Sequence, residues 1–376
     1  MQIIMGLTGI IALVLVAVAF SRDRRSINLR TVLGAFIIQA SIPVFVTFTS
    51  SGAGILTGIA AGAEAVINST NAGITFMFGP LVSERMFELF AGNGFVFALR
   101  VLPIIVFFAS LMAMLYYLGV MQWIIRVFGG ALHRALGTSR TESMSAAANV
   151  FVGLTEAPLV VKPYVSRMTR SELFAVMSCG LASVAGSVLV GYAALGVDLN
   201  FLVAASFMAA PGGLLMAKLL EPETDTPRDR AEDVTEEDEF QEDQPVNVID
   251  AAALGAASGL RLALNVGGML IAFIALIALF NTIVGGLGDM MGIAGLTIQQ
   301  ILGYLFAPVA FLLGIPWAEA AQAGSYMGQK LVINEFVAYV DFIATGQALS
   351  EHSRAVVTVA LCGFANFSTL AILLGG

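Results

Sequence analysis

Several stretches of this sequence stay apolar over nearly the whole length that a helix needs to cross a bilayer. They are residues 2–20, 31–49, 97–117, 173–195, 201–219 and 254–283, with a last one from 355 to the end. A hydrocarbon layer about 30 Å thick takes roughly 20 residues at 1.5 Å each. In lipid every backbone N–H and C=O needs an internal partner, and a single apolar run of this length can provide those partners only as a helix. The expected fold class is therefore an all-α polytopic membrane protein. Composition agrees: 58% of the 376 residues are hydrophobic and 12% charged, about half the charged fraction of a soluble domain.

The first stretch lacks the basic residues that precede the core of a secretion signal; Arg22, Arg24 and Arg25 follow it instead. It reads as a retained helix with its N-terminus outside. Cys179 and Cys362 both lie in apolar segments, which suggests neither a disulfide framework nor a metal site. The histidines, His133 and His352, stand near segment ends, which argues against histidine chemistry inside the membrane. Shorter or amphipathic segments at 54–67, 121–136 and 296–313 are expected to lie along the interface or pack on the bundle.

The net charge of −8 is a local effect. Twelve of the 26 acidic residues fall between Glu221 and Asp243, a run too poor in apolar residues to fold and read here as a solvated linker. The rest of the chain is slightly basic, and nothing in it points to nucleic acid. Arg22, Arg24, Arg25 and Arg30 follow the first span, Arg126, Arg134 and Arg140 the third, and Lys162, Arg167 and Arg170 precede the fourth. Lys218 closes the fifth. All of them share the cytoplasmic side if "FVGLTEAPLVV", residues 151–161, dips into the bilayer and returns.

Length demands the same dip. Only 21 residues separate Arg140 from Lys162, and Gly153 and Pro158 interrupt them. Each half is about ten residues, roughly 15 Å of helix, which reaches the middle of the bilayer and no further. A re-entrant hairpin with Thr155 and Glu156 at its tip is the expectation. Non-helical backbone at that depth survives only where protein buries it or where it lines a wet cavity.

The chain also repeats itself. Cys179 opens "CGLAS" and Cys362 opens "CGFAN"; Glu156 precedes the first phrase by 23 residues, and Glu335, within "QKLVINEFVAYV", precedes the second by 27. Each copy reads as an apolar hairpin with a carboxylate at its tip, followed by a span broken by glycine and small polar residues. An odd number of crossings between the copies inverts one relative to the other. Inverted repeats with two re-entrant helical hairpins and two broken transmembrane helices are the architecture of secondary transporters.

A carboxylate near the bilayer centre costs at least ~2.5 kcal/mol, so Glu156 and Glu335 are candidate substrate or ion contacts. Asn149 and Ser183 lie near helix breaks, where freed carbonyls can join side-chain oxygens around Na⁺; Asn149, Ser183 and Asn366 could equally bond helix to helix. Phe364, beside Asn366, is a candidate ligand contact. Lys162 and Lys330 read as interfacial anchors. With no Lys or Arg at a hairpin tip or helix break, the cavity is expected to offer acids, amides and hydroxyls, suited to a neutral hydroxyl-rich solute or a cation. Intramembrane hydrolysis is disfavoured by the lack of His inside any span.

In "GLTEAPLVVKPYV", "KLVINEFVAYVDF" and "LCGFANFSTLAILLGG" the chain resembles the first hairpin, second hairpin and broken seventh helix of the concentrative nucleoside transporter family. The resemblance implies a homotrimer in the cytoplasmic membrane that takes up nucleosides by an elevator-like movement, coupled to Na⁺ or, in some members, H⁺. It divides the chain into scaffold and interfacial helices (1–136), a first transport repeat (137–219) and an acidic cytoplasmic linker (220–250). A long scaffold helix (251–295) and a second transport repeat without its final span (296–376) follow. By motif, Gly153, Leu154, Thr155, Glu156, Val188 and Phe364 would line the base pocket, and Glu335, Asn366 and Thr369 would serve the ribose. Asn149 and Ser183, with the carbonyls of Val152 and Val184, would bind Na⁺, and the presence of Asn149 favours sodium. A proton-coupled nucleoside symporter, or a carrier of organic cations with Glu156 and Glu335 as counter-charges, is the alternative. Leu154 stands where the family has glutamine, which bears on base preference, and no organic cofactor is implied.

Overall fold

The computed structural model describes residues 2–90, 94–154, 156–227 and 245–370, and among them the regular elements are helical. The amino-terminal part holds α1 (Gln2–Ala19), α2 (Leu29–Phe48) and α3 (Ser50–Phe78), two short helices α4 (Arg85–Leu89) and α5 (Phe97–Arg100), then α6 (Leu102–Tyr117) and α7 (Val120–Leu136). The first repeat comprises α8 (Arg140–Ala148), a 3-10 segment Ala157–Arg167, α9 (Arg170–Ala182), α10 (Gly186–Ala194) and α11 (Leu199–Leu220). After α12 (Val248–Met290) come α13 (Ile298–Leu312), α14 (Trp317–Val332), α15 (Glu335–Thr345) and α16 (Glu351–Leu361), all four within the stretch expected to form the second repeat. Among the described residues six segments are long and apolar enough to cross a membrane, or seven if α13 and α14, bent by 115°, count as one.

Two expectations need correction. The segment at 54–67 is longer than expected: it belongs to α3, a 29-residue helix capped by the Thr49 hydroxyl and stopped by Gly79 at φ 51°. Small residues and the polar Glu64, Asn68 and Asn71 dilute its hydropathy without interrupting the helix. Second, the acidic run begins as structure rather than linker. Glu221 pairs with Arg22 at 2.7 Å and Arg170 at 3.2 Å, and Glu223 accepts the Thr169 hydroxyl at 2.9 Å. Most of the run, 228–244, lies outside the described residues.

Those pairs also bring the end of α1, the start of α9 and the end of α11 to one end of the molecule, as the clustering of basic residues requires. Near the start of α8, Glu142 receives the buried Lys218 ammonium at 2.7 Å, while Lys218 also donates to the Ser171 hydroxyl at 2.9 Å. Both arms of the first hairpin therefore start and finish at the same end. At nine residues, α8 spans about 13 Å, too short to cross. The second hairpin is built the same way. Glu319 near the start of α14 accepts from Ser350 just past α15, and Gln322 donates to the Thr345 carbonyl at 3.0 Å.

The long scaffold helix α12 packs on α6 through glycine. Gly255 and Gly259, four residues apart, let the two backbones approach: a Cβ at Gly259 would sit 2.7 Å from the Ala109 Cβ and 2.9 Å from the Val106 Cα. Close helix approach at small residues is a main source of association energy in lipid. Gly259→Val is expected to cost about 1–3 kcal/mol by overpacking and to lower the melting temperature in detergent. Gly268→Val, where a Cβ meets nothing within 4 Å, is the matched control and leaves it unchanged.

Candidate substrate and ion site

The two helix breaks and the two hairpin tips are bonded into one chain of contacts. At the first break the Ser183 hydroxyl lies 3.2 Å from the Asn149 Oδ1 at the tip of the first hairpin. At the second, Asn366 donates its amide to Glu335 Oε2 at 2.9 Å at the tip of the second. The breaks join directly, since the Phe364 N–H donates to the Ser183 carbonyl at 3.0 Å. Gly363 makes this possible: at φ 135°, any Cβ there would lie 2.8 Å from the Ala182 carbonyl oxygen. By its bonding Asn149 stands to Ser183 as Glu335 stands to Asn366, while Glu156, at the start of the returning arm, keeps the place in its hairpin that Glu335 has in the other.

Local sequence explains each placement. Asn334 caps α15 by accepting from the Val337 N–H at 2.9 Å, which puts the Glu335 carboxylate at a helix N-terminus, where negative charge is favoured. Asn366 caps the helix that resumes after the second break, its Oδ1 accepting from the Thr369 N–H at 2.8 Å while its amide is aimed at Glu335. One side chain thus starts a helix and fixes an acid.

Gly153, Leu154, Glu156, Val188, Glu335, Phe364, Asn366 and Thr369 all line one cavity of about 1370 Å³, closed on the far side by α6 and α12. Thr155 lies outside the described residues. Glu335 is 5% exposed and Asn366 4%, whereas Glu156 is exposed to the cavity. Leu154 is buried, its Cβ 3.2 Å from where a Gly180 Cβ would stand, so this side chain wedges the tip against α9 as well as facing the cavity.

Asn149, Ser183 and Val184 are set behind the cavity wall and Val152 is part of it, each 2% exposed or less. Asn149 donates its amide to the Ser145 carbonyl at 3.0 Å, which turns its Oδ1 toward Ser183. The Ser145 hydroxyl, one helical turn back, is buried and has no hydrogen-bond partner among the described residues. A pocket of neutral oxygens with an orphaned hydroxyl fits a small hard cation such as Na⁺. Among the described residues no cluster of three His, Cys, Asp or Glu could hold a transition metal.

The cavity is less free of cationic groups than expected. Arg126 on α7 and Arg261 on α12 both line it, with Ser258 and Asn265 on the same helix, and Tyr116 joins from α6. The available signal was an arginine inside an otherwise apolar helix. Lys330 is not an interfacial anchor either: its ammonium turns inward and donates to the Ala360 carbonyl at 2.8 Å.

Broken helices whose ends meet paired hairpin tips at a walled cavity define a secondary transporter rather than an enzyme. The chain matches family models described as Na⁺ dependent nucleoside transporter N-terminus over residues 8–81, nucleoside recognition over 98–198 and Na⁺ dependent nucleoside transporter C-terminus over 201–376. It is 48% identical over 376 residues to the nucleoside permease NupC of Helicobacter pylori, spanning 99% of this chain and 88% of the relative. It is 37% identical over 391 residues to sodium/nucleoside cotransporter 1 of Sus scrofa, spanning 98% of this chain and 57% of that protein. A structure of CNTnw in an inward-facing substrate-bound state matches it with TM-score 0.94 and 55% identity, over 100% of this chain and 89% of that one. The chain belongs to the concentrative nucleoside transporter family, whose members are multi-pass proteins of the plasma membrane.

Proposed function

We propose that this protein takes nucleosides up across the cytoplasmic membrane, driven by Na⁺ entering with them, and that it works as a homotrimer by elevator-like alternating access. The observation that carries the reading is the single cavity onto which both hairpin tips and both breaks converge, with Glu335 and Asn366 bonded at its wall. Carboxylate and amide oxygens there suit the hydroxyls of a ribose, and Val188 and Phe364 offer apolar faces to a base. Na⁺ between Asn149 and Ser183 would tie the first tip to its break. That order would favour nucleoside binding, and by reciprocity bound nucleoside would tighten Na⁺ to the same degree. The moving body would be the two repeats, and α6, α7 and α12 the wall they pass.

Labelled uridine or adenosine uptake into proteoliposomes, with external Na⁺ present or replaced by choline, tests the reading. Saturable accumulation that needs Na⁺ is the expected outcome, with at least a tenfold fall in choline. Accumulation under a proton gradient alone would move the coupling to H⁺, and no accumulation under either gradient would overturn the reading. Competition by choline-like cations without competition by uridine would assign the carboxylates to organic cations instead.

A further inference from the structure

The end of α16 is capped by side chains of the second hairpin. Tyr339 donates its hydroxyl to the Thr358 carbonyl at 2.8 Å, and Lys330 donates its ammonium to the Ala360 carbonyl at 2.8 Å. These belong to the last four carbonyls of the helix, which have no intrahelical partner and gather partial negative charge, so a cation is favoured there. At the first break, by contrast, the groups that meet the end of α9 are the neutral oxygens of Asn149 and Ser183. Lys330 also stands five residues before Glu335, across the turn that joins α14 to α15, within electrostatic reach of that carboxylate. The other titratable groups that act on Glu335 are Tyr192 on α10, Tyr339 on its own helix α15 and Cys362 just past α16. All three are uncharged at neutral pH in their ordinary forms.

We propose that Lys330 is a tethered cation of the second repeat, a positioning residue that holds the second hairpin on its broken helix and balances the charge of Glu335. The repeats then differ in one respect. The second break carries its cation covalently, whereas the first leaves an oxygen pocket for a cation that comes and goes. Only this comparison rests on the Na⁺ reading; the role of Lys330 rests on its own bonds. Half of the cavity would be ready for a nucleoside before any ion binds, and only the other half would wait for one.

Two substitutions separate charge from bonding. Lys330→Met removes both, and Lys330→Gln keeps a donor without the charge and serves where the first does not fold. Each is expected to raise the KM for uridine at saturating Na⁺ at least tenfold. Loss of the neighbouring positive charge favours the neutral acid, so the fall of uptake on acidification should begin at least one pH unit higher. Lys330→Arg should restore both properties. Tyr339→Phe, which deletes only the neutral cap, should leave the pH profile where it was. Infrared spectra need no transport: a carboxylic-acid band that disappears when Glu335→Gln is added should be present at neutral pH in Lys330→Gln and absent in the parent protein. A folded Lys330→Gln with parental KM, pH profile and infrared spectrum would overturn the proposal, as would Tyr339→Phe moving the profile equally far. If the parent protein carries no uridine, the nucleoside reading fails while the infrared comparison still decides the role of Lys330.

Discussion

Glu335→Gln is expected to abolish nucleoside uptake while leaving the protein folded. The glutamine keeps the volume, so the packing of a 5% exposed side chain is preserved. It does not keep the hydrogen bonding. Glu335 accepts the Asn366 amide at 2.9 Å, and its remaining lone pairs are the acceptors available to ribose hydroxyls. A glutamine offers one acceptor oxygen and a pair of donors, and Asn366 already presents a donor. Hydrogen bonds to a charged partner contribute about 1.5–3 kcal/mol each, so losing two of them predicts a fall of at least a hundredfold. Labelled uridine uptake by the variant, normalised to folded protein on size-exclusion chromatography, decides it. Uptake within a few-fold of the parent would remove Glu335 from the substrate site.

The second large effect concerns the ion. Asn149→Ala and Ser183→Ala each delete one of the two side-chain oxygens that lie 3.2 Å apart behind the cavity wall. Each is expected to raise the Na⁺ concentration for half-maximal uptake at least tenfold, equivalent to about 1.4 kcal/mol. Because the coupling is reciprocal, nucleoside affinity should fall at low Na⁺ and recover toward the parental value as Na⁺ saturates. Sodium titrations at several fixed uridine concentrations separate this from general damage, which would lower affinity at every Na⁺ concentration alike. Parental sodium curves in both variants would place the ion elsewhere. Asn149 carries the larger effect, because its amide also bonds the Ser145 carbonyl and so anchors the tip to α8.

The first hairpin was legible because lipid reduces the question to arithmetic. Between Arg140 and Lys162 there is too little chain for two crossings and too much punctuation for one, and the observed arms begin and end beside Lys218 and Glu223. The repeated Cys-Gly phrase located both breaks for a similar reason: each break needs a glycine or small polar residue where helix stops. Lys330 was misread, since a lysine near a hairpin mouth snorkels outward as readily as it turns in, and only the position of the Ala360 carbonyl decides between them. The ends of the segment at 54–67 were not legible because hydropathy averages over side chains, whereas α3 extends through capping and small residues that no average records.

Sequence alone therefore determined the membrane class, the hairpin and broken-helix plan, and the acids and amides at the two tips. These follow from lengths and from the cost of polar groups in lipid, both of which are properties of a local stretch of chain. Tertiary structure decided which groups face one another: Asn149 with Ser183, Glu335 with Asn366, Phe364 with the Ser183 carbonyl, Lys330 with the end of α16, and Arg261 with the cavity. Hydrogen bonds act over about 3 Å, and residues 30 or more positions apart come within that range only when the packing of whole helices puts them there.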